Sequence, residues 1–479
     1  MEGYDASGSL DTLTIAEKLA RLALAIRYEE LPEQAIEWAE IGFLDTVGVT
    51  LAGSQEPCVS ILRNLPGVGK ADGPCVTFDD GKRCDPLDAA LINATASHAL
   101  DYDDFASSIG GHPSVTLVPA ILAFGDTLDI SGQQAICAYV AGFEVESRIG
   151  RAVNPHHYDK GWHPTATLGI FGTVIALSHL LGFDEHRAAT AIAIATSMAS
   201  GVKSNFGTMT KPLHVGHSVR NGMMATLLAR GGFTANPESF DHKQGFLAAF
   251  QGDEAFDPSR LFDNWAEPLE IVEPGFGLKQ FPCCGSTHTA INCMIELRNE
   301  HGLSPGEVRS IQVRVNPRRL PHTDNPDPHT GLEGKFSLPY LIAQALIDGD
   351  VRLSHFDERA LSEPSVRAVM ARIVTGAHDD MPEDSENQFG SEVTVVLNDG
   401  REFSRRIDHR LGRGPDHPMT DEELRQKFED CAGRVCTSTQ VDLLFEKLRG
   451  LRDLHTISDI SNIIAVDEPM QEIQAQQIN

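Results

Sequence analysis

Apolar positions in the first half of the chain recur with the spacing of one helix face. Ala- and Leu-rich runs at about 34–52, 87–101, 114–128, 132–150, 165–182, 185–200 and 213–231 predict helix after helix. Capping boxes mark the starts of two of the chain's early helices, Thr14 with Glu17 and Ser131 with Gln134, and of a third far downstream, Thr420 with Glu423. Half of residues 188–199 are alanine, which suits close helix–helix packing.

The pattern changes after Trp265. Ile311, Val313 and Val315 alternate with polar residues, as a half-buried strand requires. Val393, Val395 and Leu397 repeat that alternation, and Asn398-Asp399-Gly400 then turns the chain into a second strand at 403–407, a hairpin. Helical runs at about 287–300, 337–348 and 364–374 lie between the strands, and the acidic stretch 378–390 reads as a loose loop. Helices return from Thr420, and the tail after Asp467 is expected to fray. The chain therefore reads as mainly α. A large discontinuous all-helical domain, residues 1–266 and 411–479, carries a smaller inserted α+β lid domain at 267–410.

A length of 479 residues exceeds what one hydrophobic core usually serves, in keeping with that division. A formal charge of −29 argues against nucleic acid or an anionic membrane as partner, because their phosphates would repel it. The same surplus means that an acidic ligand needs the chain's few cations gathered in one pocket. The first eleven residues are acidic and lack an apolar signal core, and no apolar run reaches membrane-spanning length. Nine cysteines are scattered without a Cys-x-x-Cys pair; Cys283 and Cys284 are adjacent, and four residues separate Cys431 from Cys436. Neither is a zinc or disulfide spacing, so reduced thiols in a cytoplasmic protein are expected.

The informative feature is a junction used three times. Gly111-His112-Pro113, Trp162-His163-Pro164 and Thr210-Lys211-Pro212 each set a basic residue before a proline that opens an apolar helical run. Proline favours the first turn of a helix and holds the preceding residue extended, so His112, His163 and Lys211 should each lie near the N-cap of a different helix. Unpaired N–H groups and the helix dipole make such an end attractive to carboxylate. One such junction is an ordinary loop feature; three converging would hold a substrate with two or three carboxylates. A histidine at a positive helix end also stays neutral more readily, as a base or proton shuttle requires.

Asp101-Tyr102-Asp103-Asp104 precedes the first junction. Those carboxylates could bind a metal, fix a histidine tautomer, or form a solvated turn. His214 and His217, three apart, permit a metal pair, although such spacing more often gives one packed and one exposed histidine. Lys279, one of eleven lysines, is a candidate second carboxylate clamp, with a plain surface lysine as the alternative on spacing alone. No His-Glu-x-x-His, EF-hand, Gly-x-Gly-x-x-Gly, Walker or Gly-x-Ser-x-Gly pattern is present.

Taken in order, Phe43-Leu44-Asp45-Thr46-Val47-Gly48, the 98–104 string His-Ala-Leu-Asp-Tyr-Asp-Asp, Gly111-His112-Pro113-Ser114, Gly161-Trp162-His163, Thr210-Lys211-Pro212-Leu213-His214 and Lys279-Gln280-Phe281-Pro282 resemble the MmgE/PrpD family. The resemblance runs from about residue 14 to about 455. It is specific to the family without separating its activities, which include 2-methylcitrate dehydratases, cis-aconitate decarboxylases and iminodisuccinate epimerases. The string around Lys211 is similar to that of the animal decarboxylase and differs from that of enterobacterial dehydratases. The resemblance implies a helical domain with a smaller lid, a homodimer, and catalysis without an iron–sulfur cluster. It also implies that Asp101, His112, His163 and Lys211 line the active site, with Lys279 contributed by the lid.

The expected protein is a lyase that acts on a small di- or tricarboxylate with no metal or cofactor. Lys211 and Lys279 would hold carboxylates, His112 and His163 would share the acid and base roles, and Asp101 would orient one imidazole. A 2-methylcitrate dehydratase-like hydro-lyase stands first, cis-aconitate decarboxylation to itaconate second and epimerisation third. A non-catalytic polycarboxylate-binding protein and a metal-dependent hydrolase are the readings from other classes.

Overall fold

Small residues let the helices of the N-terminal half approach almost to backbone contact. A Cβ at Gly216 would lie 2.1 Å from Thr95 Oγ1 and 2.5 Å from the Leu91 carbonyl, so only glycine lets the Thr210–Arg230 and Pro86–Ala99 helices cross this closely. That crossing sets Lys211, in the first turn of one helix, beside the chain leaving the other. The computed structural model describes residues 12–252, 256–382, 389–408 and 412–465. The acidic leader and the tail expected to fray lie outside them, as does 383–388 within the acidic stretch.

The helical runs of the first half form where the pattern places them: Glu33–Gly53, Pro86–Ala99, Ser114–Gly125, Gly132–Val153, Pro164–Leu180, Glu185–Thr196 and Thr210–Arg230. All three expected capping boxes are made, at Thr14, Ser131 and Thr420. Their apolar faces, with those of the C-terminal helices Asp421–Ala432, Ser438–Arg449 and Ser458–Ile464, share one core, from Leu19 and Phe43 to Leu444 and Ile460. The chain is mainly helical. Among the described residues no helix is long and apolar enough to cross a membrane.

A second apolar cluster, between Phe281 and Leu397, forms around a four-stranded sheet. The strand order is Ile373–Ala377, Val308–Val315, Ser391–Leu397, Glu402–Ile407, with the first pair parallel and the others antiparallel. In Ser391–Leu397 alternate residues are buried, and Cys293 and Met294 of the His288–His301 helix belong to the same cluster. The expected hairpin is present. The strand Ile373–Ala377 was not expected: the helix read as 364–374 ends at Met370, and β-branched Ile373, Val374 and Thr375 then pair alongside Ile311–Val313.

Candidate active site

Three loop or cap positions and one helical first turn bring the three junction residues and Lys279 to one place. His163 is the N-cap of the Pro164–Leu180 helix, as expected. His112 lies one residue further out, because Pro113 itself takes the cap of Ser114–Gly125. Lys211 departs more from expectation. Its helix is capped by Met209, which puts Lys211 second and Pro212 third in the first turn. The first four N–H groups of a helix have no partner within it, so proline fits anywhere in that turn and marks the start only to within a few residues.

His112 is fixed by its own strand-like entry. Its N–H donates to Thr165 Oγ1 at 3.1 Å, and a Cβ on the preceding Gly111 would come within 2.6 Å of that oxygen. The first turn of the His163 helix thus clamps the His112 loop. His163 and His214 meet Nδ1 to Nδ1 at 3.2 Å, and Phe206 packs edge-on against the His163 ring. His217 points away and contacts Asn221 instead.

The acidic string divides its labour. Asp101 has φ of +54°, a left-handed conformation that costs an aspartate about 1–3 kcal/mol. It turns its carboxylate between two ammonium groups, Lys211 Nζ at 2.5 Å on Oδ1 and Lys279 Nζ at 3.0 Å on Oδ2, with His112 Nε2 at 3.8 Å. Asp103, fully buried, accepts from His98 Nδ1 at 2.7 Å and lies 3.0 Å from His112 Nδ1. The second approach makes no hydrogen bond from His112 Nδ1, so the two groups meet by proximity alone. The carboxylate that steadies imidazoles is therefore Asp103, where Asp101 was expected; Asp101 is the counter-ion of the lysines. Asp104 faces away and accepts from the Ser114 hydroxyl and N–H.

Burial and neighbours set the charges. Burial raises both aspartates, but Lys211 and Lys279 hold Asp101, and His112 and His98 hold Asp103, well below the usual carboxylate range. Burial lowers His98 to about 4 against the pull of Asp103. Burial, then the nearby His98 and Lys211, hold His163 well below its ordinary value. His98 and His163 are consequently neutral at neutral pH, and their rings stack at 5.6 Å.

His98, Asp101, Asp103 and His112 could each offer a metal one atom, all within 4.8 Å of one another. The donor set is compromised by what surrounds it. Both Asp101 oxygens face ammonium groups, whose charge repels a divalent cation, and Asp103 is engaged by two imidazoles. The arrangement suits proton transfer beside a held carboxylate.

Sequence reasoning had not singled out three members of the cluster. His98 and Asp103 sat inside a quoted motif, and His214 was weighed only as half of a metal pair; its three-residue offset from Lys211 on one helix is the signal that puts both on the same face.

Paired lysines on a shared carboxylate thus lie beside clustered imidazoles. The chain belongs to the MmgE/PrpD family: residues 17–259 match the MmgE/PrpD N-terminal domain and 281–448 the C-terminal domain. It is 26% identical over 468 residues to a human cis-aconitate decarboxylase, covering 95% of each chain. It is 25% identical over 472 residues to a cis-aconitate decarboxylase of Aspergillus terreus, covering 94% of this chain and 96% of that one.

Proposed function

We propose that the protein is a lyase acting on a small tricarboxylate by acid–base chemistry of its own side chains, and that its reaction is decarboxylation of cis-aconitate. The observation that carries this reading is the meeting of Lys211 and Lys279 on one carboxylate, 3.8 Å from the Nε2 of His112. Asp101 marks where the carboxylate of a bound substrate would find its cations. The names of relatives matched along nearly their whole length favour decarboxylation over dehydration of a citrate-like acid, which stood first among the activities of the resembled family.

In that reaction the carbon–carbon bond to the carboxylate on the methylene carbon breaks and CO₂ leaves. The electron pair spreads over the allylic carbons as the double bond shifts, and one proton is added at the former vinylic CH, giving itaconate. Ammonium groups beside the retained carboxylates stabilise the developing carbanion, as oxyanion donors do. His112 would move the proton, with neutral His98 packed between its ring and that of His163, which meets His214, as relay. In this reading Lys279 comes from a domain at 267–410 that covers the helical one, and the protein works as a cytoplasmic homodimer.

Incubation with cis-aconitate, citrate and 2-methylcitrate, with products identified by NMR and CO₂ measured, tests the proposal. Itaconate with stoichiometric CO₂ from cis-aconitate is expected. An alkene from a citrate without CO₂ would replace decarboxylation by dehydration, and no turnover of any of the three would remove the lyase reading.

A further inference from the structure

Four of the chain's eleven lysines gather at the end of the Pro86–Ala99 helix. Lys211 takes the Asp101 side chain, and the other three address consecutive backbone carbonyls. Lys335 Nζ donates to the Leu100 carbonyl at 2.7 Å, Lys279 Nζ to that of Asp101 at 2.5 Å, and Lys427 Nζ to that of Tyr102 at 3.1 Å. Each ammonium comes from a different element. Lys279 precedes Phe281 and Lys335 precedes Leu338, both in the apolar cluster around the sheet; Lys427 lies on the Asp421–Ala432 helix.

A helix C-terminus leaves carbonyls without partners and carries partial negative charge, so a cation there is ordinary. Three in succession on a segment that has already left the helix are not required to finish it. Leu100 is the C-cap, and Asp101 then adopts its left-handed conformation. Fixing the carbonyls before, at and after Asp101 fixes the two peptide planes that flank it, and so the direction of its carboxylate. Lys427 also pairs with the buried Asp45, which explains the Asp45 of the 43–48 string: it holds the third ammonium in place.

We propose that Lys335 and Lys427 are positioning residues for the active site, which together with Lys279 hold Leu100, Asp101 and Tyr102 in the bend that aims Asp101 at Lys211 and His112. Because Lys279 and Lys335 both belong to the sheet-bearing part of the chain, seating of that part on the helices completes the Asp101 geometry. The inference rests on the proposed function for its kinetic readout and on the bend alone for its structural one.

The test compares the parent with Lys335→Met, Lys335→Arg and the double variant Lys427→Met/Asp45→Asn, which removes the Asp45 charge with its partner. Each is measured for kcat and KM on whichever carboxylate the parent turns over, and each is crystallised. Displacement of a reacting group by about 1 Å can cost on the order of a hundredfold. Lys335→Met should lower kcat by about ten- to a hundredfold with KM within about threefold, and its crystal structure should show Asp101 out of the left-handed conformation. Lys335→Arg, which keeps a donor, should recover most of kcat. Should Lys335→Met fail to fold, Lys335→Arg and Lys335→Gln take its place, with kcat required to rank with retention of the Asp101 bend. An unchanged bend with kcat within twofold of the parent in Lys335→Met, or kcat that does not follow the bend, overturns the proposal. A parent that turns over no carboxylate refutes the proposed function instead, and the bend in Lys335→Met still decides this inference.

Discussion

Replacing Lys211 by alanine separates a carboxylate clamp from a structural ion pair. The Lys211 side chain is only 16% exposed, and its Nζ lies 2.5 Å from Asp101. Two unit charges about 3 Å apart interact by roughly 5 kcal/mol at an effective dielectric of about 20. Residual exposure and the second ammonium of Lys279 on the same carboxylate reduce the share of Lys211 to about 2–4 kcal/mol. That corresponds to about thirty- to nine-hundredfold in kcat/KM. The fold should survive, because Lys211 sits in a helix's first turn and Asp101 keeps Lys279 as a counter-ion. The assay is steady-state kinetics with a melting scan, expecting a midpoint within about 4 °C of the parent. Lys211→Arg should not restore activity fully, since a planar guanidinium is larger and directs its charge differently. A folded Lys211→Ala enzyme with kcat/KM within threefold of the parent refutes the clamp.

His163→Ala should lower kcat far more than it changes KM, as the proposed proton-relay role of its neutral, buried ring requires; equal loss in both would assign it to binding. Asp103→Asn should lower kcat by about 10²–10⁴-fold by loosening both His98 and His112, and parental turnover would show that the two imidazoles need no shared carboxylate. Chelator-treated protein should keep full activity, and loss on stripping with recovery on adding back one metal would turn the His98–Asp103 group into a metal site. Burial lowers His157 to about 3, whereas an unfolded histidine titrates near 6.5. The unfolded state thus binds the extra proton, and stability from His157 is present above pH 6.5 and lost as pH falls. The stability advantage of the parent over His157→Gln, from denaturant titrations, should shrink by about 2 kcal/mol between pH 7 and pH 5; an advantage constant with pH would place that histidine in a solvated setting, and one that grew as pH fell would make it charged in the fold.

Helical periodicity made most of the fold legible, because caps and apolar faces are local properties of the chain. The edge strand Ile373–Ala377 escaped because five residues, two of them exposed, follow a helix without a breaker and owe their strand form to pairing with Val308–Val315. The junction residues could be read because proline constrains its neighbours' backbone. Which carboxylate serves which base could not. Asp101 and Asp103 are two residues apart in an acidic string, and only the left-handed turn at Asp101 sends one to the lysines and the other to the imidazoles. Lys335 and Lys427 had no local signal, since what they hold lies 235 and 325 residues away in sequence.

In the proposed reaction these side chains remove CO₂ from a tricarboxylate and return one proton to carbon. Its most direct measurement is NMR of cis-aconitate turned over in D₂O by chelator-treated protein. Itaconate with a single deuterium on the methylene carbon that bears a carboxylate is expected, with one CO₂ per turnover. Recovery of unchanged cis-aconitate, or turnover only after a metal is added back, would contradict it.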